Sequence, residues 1–530
     1  MNYRWSTRGD VAAFFALMPD NLATLAILAT ILLGFGLPPE IVFGRMVPGT
    51  ALGVWVGDWL YGWMAFRLAR RENNPSACAI PLGLDTPSSI GIAVCVLGPV
   101  FLQARQDGMD ALAAGLAAWH VGISTMLLIG LFKLVVSFFG DWIRRNVAPA
   151  ALLGSLAGVG IALLGFMQLA NVFSAPVAGL LSFAILFFAL VGRMRLPLNA
   201  PGVLAAIVAG TAAYHVMGAA GLSPDAYAPP PVHFYFHLPV PTLSGFVHLA
   251  EALPYVSVSI PFAILTVVGG INVAASAHVL GDRYRTRSIL LVEAFSTIVA
   301  GLFGGVAQTT PYAGFPAYKT LGARAGYAFF VGLFIGLGGI LGYVSFFVEL
   351  IPAPVLAPIL VFLALEVAAQ PFLDCPRAHA AAAGMAILPA MARLLAIYLS
   401  DPNFTPPGHF AGLLDAADDV FSPARVVVVL GNGFILSGML WGGFMAEFAN
   451  RRFPRACAFL LACGALSLFG VVHSPFADGR MFLPWNLAGA NLLATLHVAA
   501  AYFGAAAAVA LLARGSSPLP ESAPGGASSD

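Results

Sequence analysis

The stretch GLFGGVAQTTPYAGFPAYK, Gly301–Lys319, lies among hydrophobic spans yet carries hydroxyls, an amide and several helix breakers. Pro311, Gly314 and Pro316 interrupt the helical hydrogen-bond ladder, so it is no ordinary membrane span. At membrane depth a broken backbone is tolerated only where it is buried in protein or lines a polar cavity. We read the stretch as one wall of a substrate site. The plainer reading is a kinked helix or an edge loop, since Gly and Pro are common in membrane helices.

The composition around it supports a membrane setting. Of 530 residues, 59% are hydrophobic and 9% charged, with a mean hydropathy of +0.88, so nearly all of the chain must be buried in lipid or in protein within lipid. At about 20 residues per span, the apolar segments account for about sixteen helices. A net charge of +1 provides no basic field and excludes nucleic acid as a partner. The N-terminus carries positive charge but no small-residue cleavage site, so the first helix is expected to be retained. Cys78, Cys95, Cys375, Cys457 and Cys463 are scattered, without a CxxC framework, and read as packing residues.

The spans fall into two sets of seven. The first occupies residues 14–35, 40–66, 80–103, 111–138, 148–172, 175–192 and 200–218. Residues 219–249 are rich in Pro and His and lack Lys and Arg, which marks an extracytoplasmic loop. The second set occupies 250–280, 287–306, 308–322, 325–347, 352–372, 378–399 and 424–446, and two more spans follow at 456–472 and 486–513. The domains are thus 1–218, the loop 219–249, 250–450, a two-span segment 451–514 and a disordered tail 515–530. With a cytoplasmic N-terminus, Arg67, Arg70, Arg71, Arg144, Arg145, Arg193, Arg195, Arg283, Arg285 and Arg287 lie inside. The outer side holds only Arg45, Arg105, Arg425 and Arg480. The acidic loop with Asp415, Asp418 and Asp419 then falls outside. A bacterial inner membrane suits this bias.

The first set holds a counterpart to the opening stretch. IPLGLDTPSS, Ile80–Ser89, is broken by Pro81, Gly83 and Pro87 and carries Asp85, Thr86, Ser88 and Ser89. Both breaks fall in the third span of their set, and because seven is odd the two sets cross the membrane in opposite directions. This is the pattern of an inverted repeat, in which paired half-helix N-termini present partial positive charge and N–H donors to a substrate near the midplane. The fold class is therefore an all-α polytopic membrane protein of two inverted seven-span repeats with two extra C-terminal spans.

The run GLFGGVAQTT resembles the GLFGG-x-x-N-T-T signature of nucleobase:cation symporters, the xanthine, uracil and purine permeases. Asp20-Asn21 sits where many members have Gln-His, GLDT at 83–86 is similar to a GLNA element, and NVAASAHVLG at Asn272–Gly281 resembles the end of the eighth span. The resemblance covers residues 10–450. It implies a core domain of spans 1–4 and 8–11, a gate domain of spans 5–7 and 12–14, elevator-like alternating access and a homodimer. The chain departs from the family at Val268 and Ala313, where the substrate carboxylates would stand, and carries Asn272 just beyond the first of these.

Asp85 is the leading candidate for substrate and coupling-ion contact, because an unpaired intramembrane carboxylate is costly. Its plainer role is to cap its own half-helix. Thr86, Gln308, Thr309, Thr310 and Tyr312 offer neutral donors and acceptors to the substrate, Asn272 and Ser276 face them at i, i+4 spacing, and Asp20 and Asn21 reach the same region. Interhelical packing is the plain alternative for the neutral residues. Asp58, Glu293 and Glu366 each read as part of a structural ion pair or interhelical hydrogen bond, and Lys133 or Arg393, the cations inside spans, are the expected partners of Asp58. No cofactor is expected beyond a coupling H+ or Na+. His233, His237 and His248 lack a metal framework.

These features point to a secondary transporter of a nucleobase or similar small polar heterocycle, coupled to protons or cations. An anion permease of the sulfate-transporter kind on the same fold is the alternative, favoured by the missing carboxylates. A transport-dead receptor or scaffold stands as a third reading. An intramembrane enzyme would need a nucleophile with its base, and neither GxSxG nor HExxH occurs.

Overall fold

The computed structural model describes residues 3–139, 149–197, 202–222, 227, 229, 233–312, 314–373, 375–400, 404–406, 409–415, 420–477 and 479–515. The expectations placed on Arg144, Arg145, Ala313, Asp418, Asp419 and the 516–530 tail fall outside these residues.

A helix or broken helix stands at every span read from the sequence. In the first half these are α1 (Arg8–Gly34), α2 (Val47–Arg71), α3 (Thr86–Gln106), α4 (Ala111–Val136), α5 (Pro149–Val159, continuing to Met167–Ser174), α6 (Pro176–Leu190) and α7 (Gly202–Ala219). The second half holds α8 (Val256–Val279), α9 (Thr286–Leu302), α10 (Phe315–Thr320), α11 (Gly326–Leu341), α12 (Ala353–Leu373), α13 (Ala380–Ser400) and the broken pair α14 (Pro423–Gly431 and Phe434–Ala449). Two further helices follow, α15 (Phe453–Leu468) and α16 (Gly489–Gly515). Among the described residues nine helices are long and apolar enough to cross a membrane, or up to ten if the α14 pair, bent by 79°, is one span. Others are too short to span alone, as α6, α11 and α15 are.

The helices pack in two groups. In the core, α2 lies on α9 and α11, α4 on α8 and α9, and α1 on α11; in the gate, α13 packs on α5 and α14, and α12 on α5 and α6. The groups meet where α3 touches α5, α8 touches α14 and α1 touches α12. The extra pair α15 and α16 pack on each other, and α15 joins the gate through α14.

Local chemistry sets the helix ends. The Asp10 carboxylate accepts from Thr7 N at 2.7 Å, completing a capping box on α1. It also accepts from Arg324 N and Tyr327 N at 2.9 Å each, so one buried carboxylate ties the start of α1 to that of α11. In α3 and α5 the ladder loosens into π turns at Ala93–Leu97 and Gly160–Phe166, and the second touches the first turns of α3 across the boundary between the groups.

Candidate functional site

The two broken spans meet as a pair of short strands. With Pro81 and Pro87 on one segment and Pro311 on the other, neither can close a helical ladder. Each satisfies its backbone on its partner instead. Strand β1 (Leu82–Leu84) pairs antiparallel with β2 (Thr309–Pro311), with Leu82 opposite Pro311, Gly83 opposite Thr310 and Leu84 opposite Thr309. Asp85 N donates to Gln308 O at 3.1 Å and Tyr312 N to Pro81 O at 2.8 Å, extending the ladder both ways.

The turn before β2 is seated on α2. A Cβ at Gly49 would lie 2.3 Å from Phe303 O, and one at Gly305 2.5 Å from Thr50 N. Only hydrogen fits at this contact. Gly304 adopts φ +96°, open to glycine without strain, and its carbonyl accepts from Trp119 Nε1 at 2.9 Å. The GG of GLFGG is therefore a packing and backbone requirement.

On the α1 side, Asn21 Oδ1 accepts from Leu84 N at 2.9 Å, and the Thr24 and Thr86 hydroxyls share a hydrogen bond of 2.7 Å. Asp85 caps α3. Its Oδ2 accepts from Ser88 N at 3.0 Å, while the Ser88 and Ser89 hydroxyls donate to its carbonyl at 3.2 and 2.8 Å. Gln308 is buried, donating to Phe262 O at 3.3 Å and accepting from Thr266 at 3.4 Å. Half-buried Asp20 is in electrostatic range of Asp85 and Tyr312. Tyr312 is half-buried and stacks on Tyr318, with ring centroids 6.2 Å apart.

Strand alternation separates the two threonines. Thr310 sits half-buried on the Gly83 face, close to Gly269 of α8. The Thr309 hydroxyl points the other way, bonding Ser296 at 2.6 Å and Thr297 at 3.3 Å on α9. Thr309 O accepts from Lys133 Nζ at 3.0 Å, and Lys133 pairs with Glu293 at 2.8 Å, both side chains 0% exposed. Asp20, Asn21, Asp85, Thr86, Gln308, Thr310 and Tyr312 are thus brought to one crossing. Asn272 is exposed and its side chain makes no hydrogen bond among the described residues, and Ser276 donates to Val273 O of its own helix at 2.9 Å, so neither reaches the strands.

The expected pairing of Asp58 does not form. Lys133 is engaged by Glu293 and Arg393 lies in the gate group, whereas Asp58 Oδ1 accepts from Leu82 N at 3.3 Å and its buried Oδ2 has no hydrogen-bond partner. The structural ion pair read for Glu293 forms with Lys133, whereas sequence reasoning missed Thr24, Thr266 and the tie from Lys133 to the Thr309 carbonyl. Thr24 carried a usable signal, at i+3 from Asn21 on one helical face. Among the described residues, no group of three or more His, Cys, Asp or Glu is placed to hold a metal ion.

A clamp outside the spans steadies the approach to β1. Asp282 pairs with Lys319 at 2.6 Å and accepts from Asn74 Nδ2 at 2.8 Å and Cys78 N at 3.1 Å; Lys319 also donates to Ser76 O at 2.6 Å. Burial raises the Asp282 carboxyl above the usual carboxylate range despite Lys319. Burial likewise pushes the Cys78 thiol up to about 12.

No protein-family model and no curated protein matches the chain. Solved structures do. The transmembrane domain of a cyanobacterium bicarbonate transporter, BicA, is similar over 75% of this chain and 98% of its own, with TM-score 0.53 and 15% identity. SLC26A9 is similar over 82% of this chain and 65% of its own, with TM-score 0.51 and 12% identity. These neighbours overturn the resemblance to nucleobase:cation symporters, whose leading element, the GLFGG run, holds glycines that serve the backbone. What the likeness shows is an integral membrane protein with an inverted-repeat transporter fold.

Proposed function

We propose that this protein is a secondary transporter of a small anion, and that Asp85 takes up a proton together with the anion. The observation that carries this reading is the N-terminus of α3 opening at the strand crossing under an ionisable cap. The helix dipole favours negative charge there, and the Ser88 N–H that Asp85 now caps is the donor an anion would take over. An ionised Asp85 opposes it. At about 4 Å and an effective dielectric of about 20, two like charges repel by about 4 kcal/mol. Protonated Asp85 removes that repulsion and becomes a donor, so anion and proton bind as a set. The fold likeness to a bicarbonate transporter favours a small oxyanion.

In this proposal the repeats are 1–218 and 250–450, the N-terminus is cytoplasmic, and the core slides against the gate with no catalytic step. The test is uptake of labelled bicarbonate, nitrate and sulfate into proteoliposomes, with and without a pH gradient. The wild type is expected to accumulate at least one anion faster toward the alkaline side. Asp85→Asn, a permanently neutral cap, is expected to exchange that anion without responding to the gradient. Absence of anion movement in the wild type sinks the proposal, and a gradient response intact in Asp85→Asn sinks the role of Asp85.

A further inference from the structure

Arg393 stands inside α13, where a charge costs several kcal/mol unless it is paired or faces a polar path. Among the described residues it has no carboxylate partner. Its hydrogen bond is long and to a neutral group, Nη1 donating to Asn432 Oδ1 at 3.4 Å. Most of the five guanidinium donors are left over for something else.

The root of this side chain is well held. Asn432 sits at the break in α14 and directs its Nδ2 to Ser474 O at 2.8 Å and Phe476 O at 2.7 Å, while its carbonyl accepts from His473 N at 3.0 Å. The turn between α15 and α16 therefore aims the Asn432 oxygen at Arg393. A Cβ at Gly431 would lie 3.0 Å from Arg393 Cα, so α13 and α14 touch backbone to backbone. The free end lies on the core side: α13 packs on the π turn of α5 that also touches the first turns of α3, and the guanidinium charge acts on the Cys95 thiol in the π turn of α3.

Position along α3 supplies the function. Cys95 lies ten residues beyond Asp85, about 15 Å at 1.5 Å per residue, toward the extracytoplasmic end in the orientation read from the loop charges. An outward slide of the core by that length carries the N-terminus of α3, with whatever it holds, to the level of Arg393. We propose that Arg393 is the gate's contact for the transported anion when the core stands outward, completing a site whose other half is the α3 N-terminus. The planar guanidinium matches an oxyanion in two parallel hydrogen bonds, which a Lys ammonium does not reproduce. In the present arrangement Cys95 occupies that place. This inference rests on the anion-transport reading and adds the gate residue that reading lacks.

The experiment compares wild type, Arg393→Gln and Arg393→Lys in oriented proteoliposomes, with half-saturating anion concentration measured from each side. Arg393→Gln is expected to raise the outer value at least tenfold and leave the inner value unchanged. Arg393→Lys, which keeps the charge, is expected to fall between. A second readout is independent of uptake: with the other four cysteines replaced by Ala, saturating anion is expected to change the rate at which N-ethylmaleimide labels Cys95. An outer value in either variant equal to wild type overturns the proposal while leaving anion transport standing. A Cys95 labelling rate indifferent to anion overturns it as well. If the wild type moves no anion, both readings fall.

Discussion

Lys133 and Arg393 are two cations placed inside spans, and the protein treats them in opposite ways. Lys133 is fully buried in the core, with Glu293 at 2.8 Å and the β2 carbonyl of Thr309 at 3.0 Å. Arg393, at the edge of the gate, has a neutral partner at 3.4 Å and an end turned toward the core. A cation whose donors end on fixed acceptors is a structural part; one with donors to spare at the boundary between core and gate is available to a ligand.

The largest expected effect tests the first half of that contrast. Lys133→Met leaves Glu293 charged, buried and alone and removes a donor from the strand crossing, so it should cost about 3–5 kcal/mol. The melting midpoint of the purified protein should drop sharply. Adding Glu293→Gln should recover most of the loss, because it removes the stranded charge. A double variant as unstable as the single one would show that the pair is not what Lys133 serves. Arg393→Gln should shift the midpoint far less, while altering outer affinity as argued above. Equal losses of stability at the two positions would erase the distinction.

A smaller effect is expected at Asn21. Its Oδ1 is the acceptor for Leu84 N in a buried setting, and Asn21→Ala orphans that donor at about 1–3 kcal/mol. Thermal unfolding checks the loss, and Asn21→Asp, which keeps an acceptor, should retain more of the stability than Ala. If Ala and Asp melt alike, the crossing does not depend on this bond.

The backbone was more legible than the side chains. Pro and Gly announce broken helices through local sterics, so both breaks could be read from 80–89 and 301–319, and their matching positions and opposed directions from the count of spans around them. Side-chain destinations depend on partners far away in sequence. Thr309 and Thr310 look equivalent in a string, yet the two-residue period of a strand sends one to α9 and the other to the Gly83 face. Asn272 and Ser276 have the right spacing, but Asn272 is exposed and Ser276 bonds its own helix. The GLFGG run misled about family for the same reason: Gly304 answers to a positive φ and Gly305 to the approach of α2, demands that fix a backbone and are silent about substrate.

The smallest expected effect concerns a third cation, Lys319, whose ion pair with Asp282 is less buried than that of Lys133. Asp282 and Lys319 meet at 2.6 Å outside the spans, with Asp282 buried and Lys319 largely so. Burial outweighs the cation and raises the Asp282 carboxyl above its ordinary value. The folded protein then holds that proton more tightly than the unfolded chain does, so Asp282 adds stability below the ordinary carboxylate range. That contribution is lost as pH rises through the raised value. Asp282→Asn has no such titration. The melting midpoint of the wild type, measured relative to Asp282→Asn, should therefore fall as pH is taken from about 4 to about 7. A relative midpoint that rises over the same range would mean that attraction to Lys319 dominates burial. Asp282 would then belong with Glu293 as a charge stabilised by its partner.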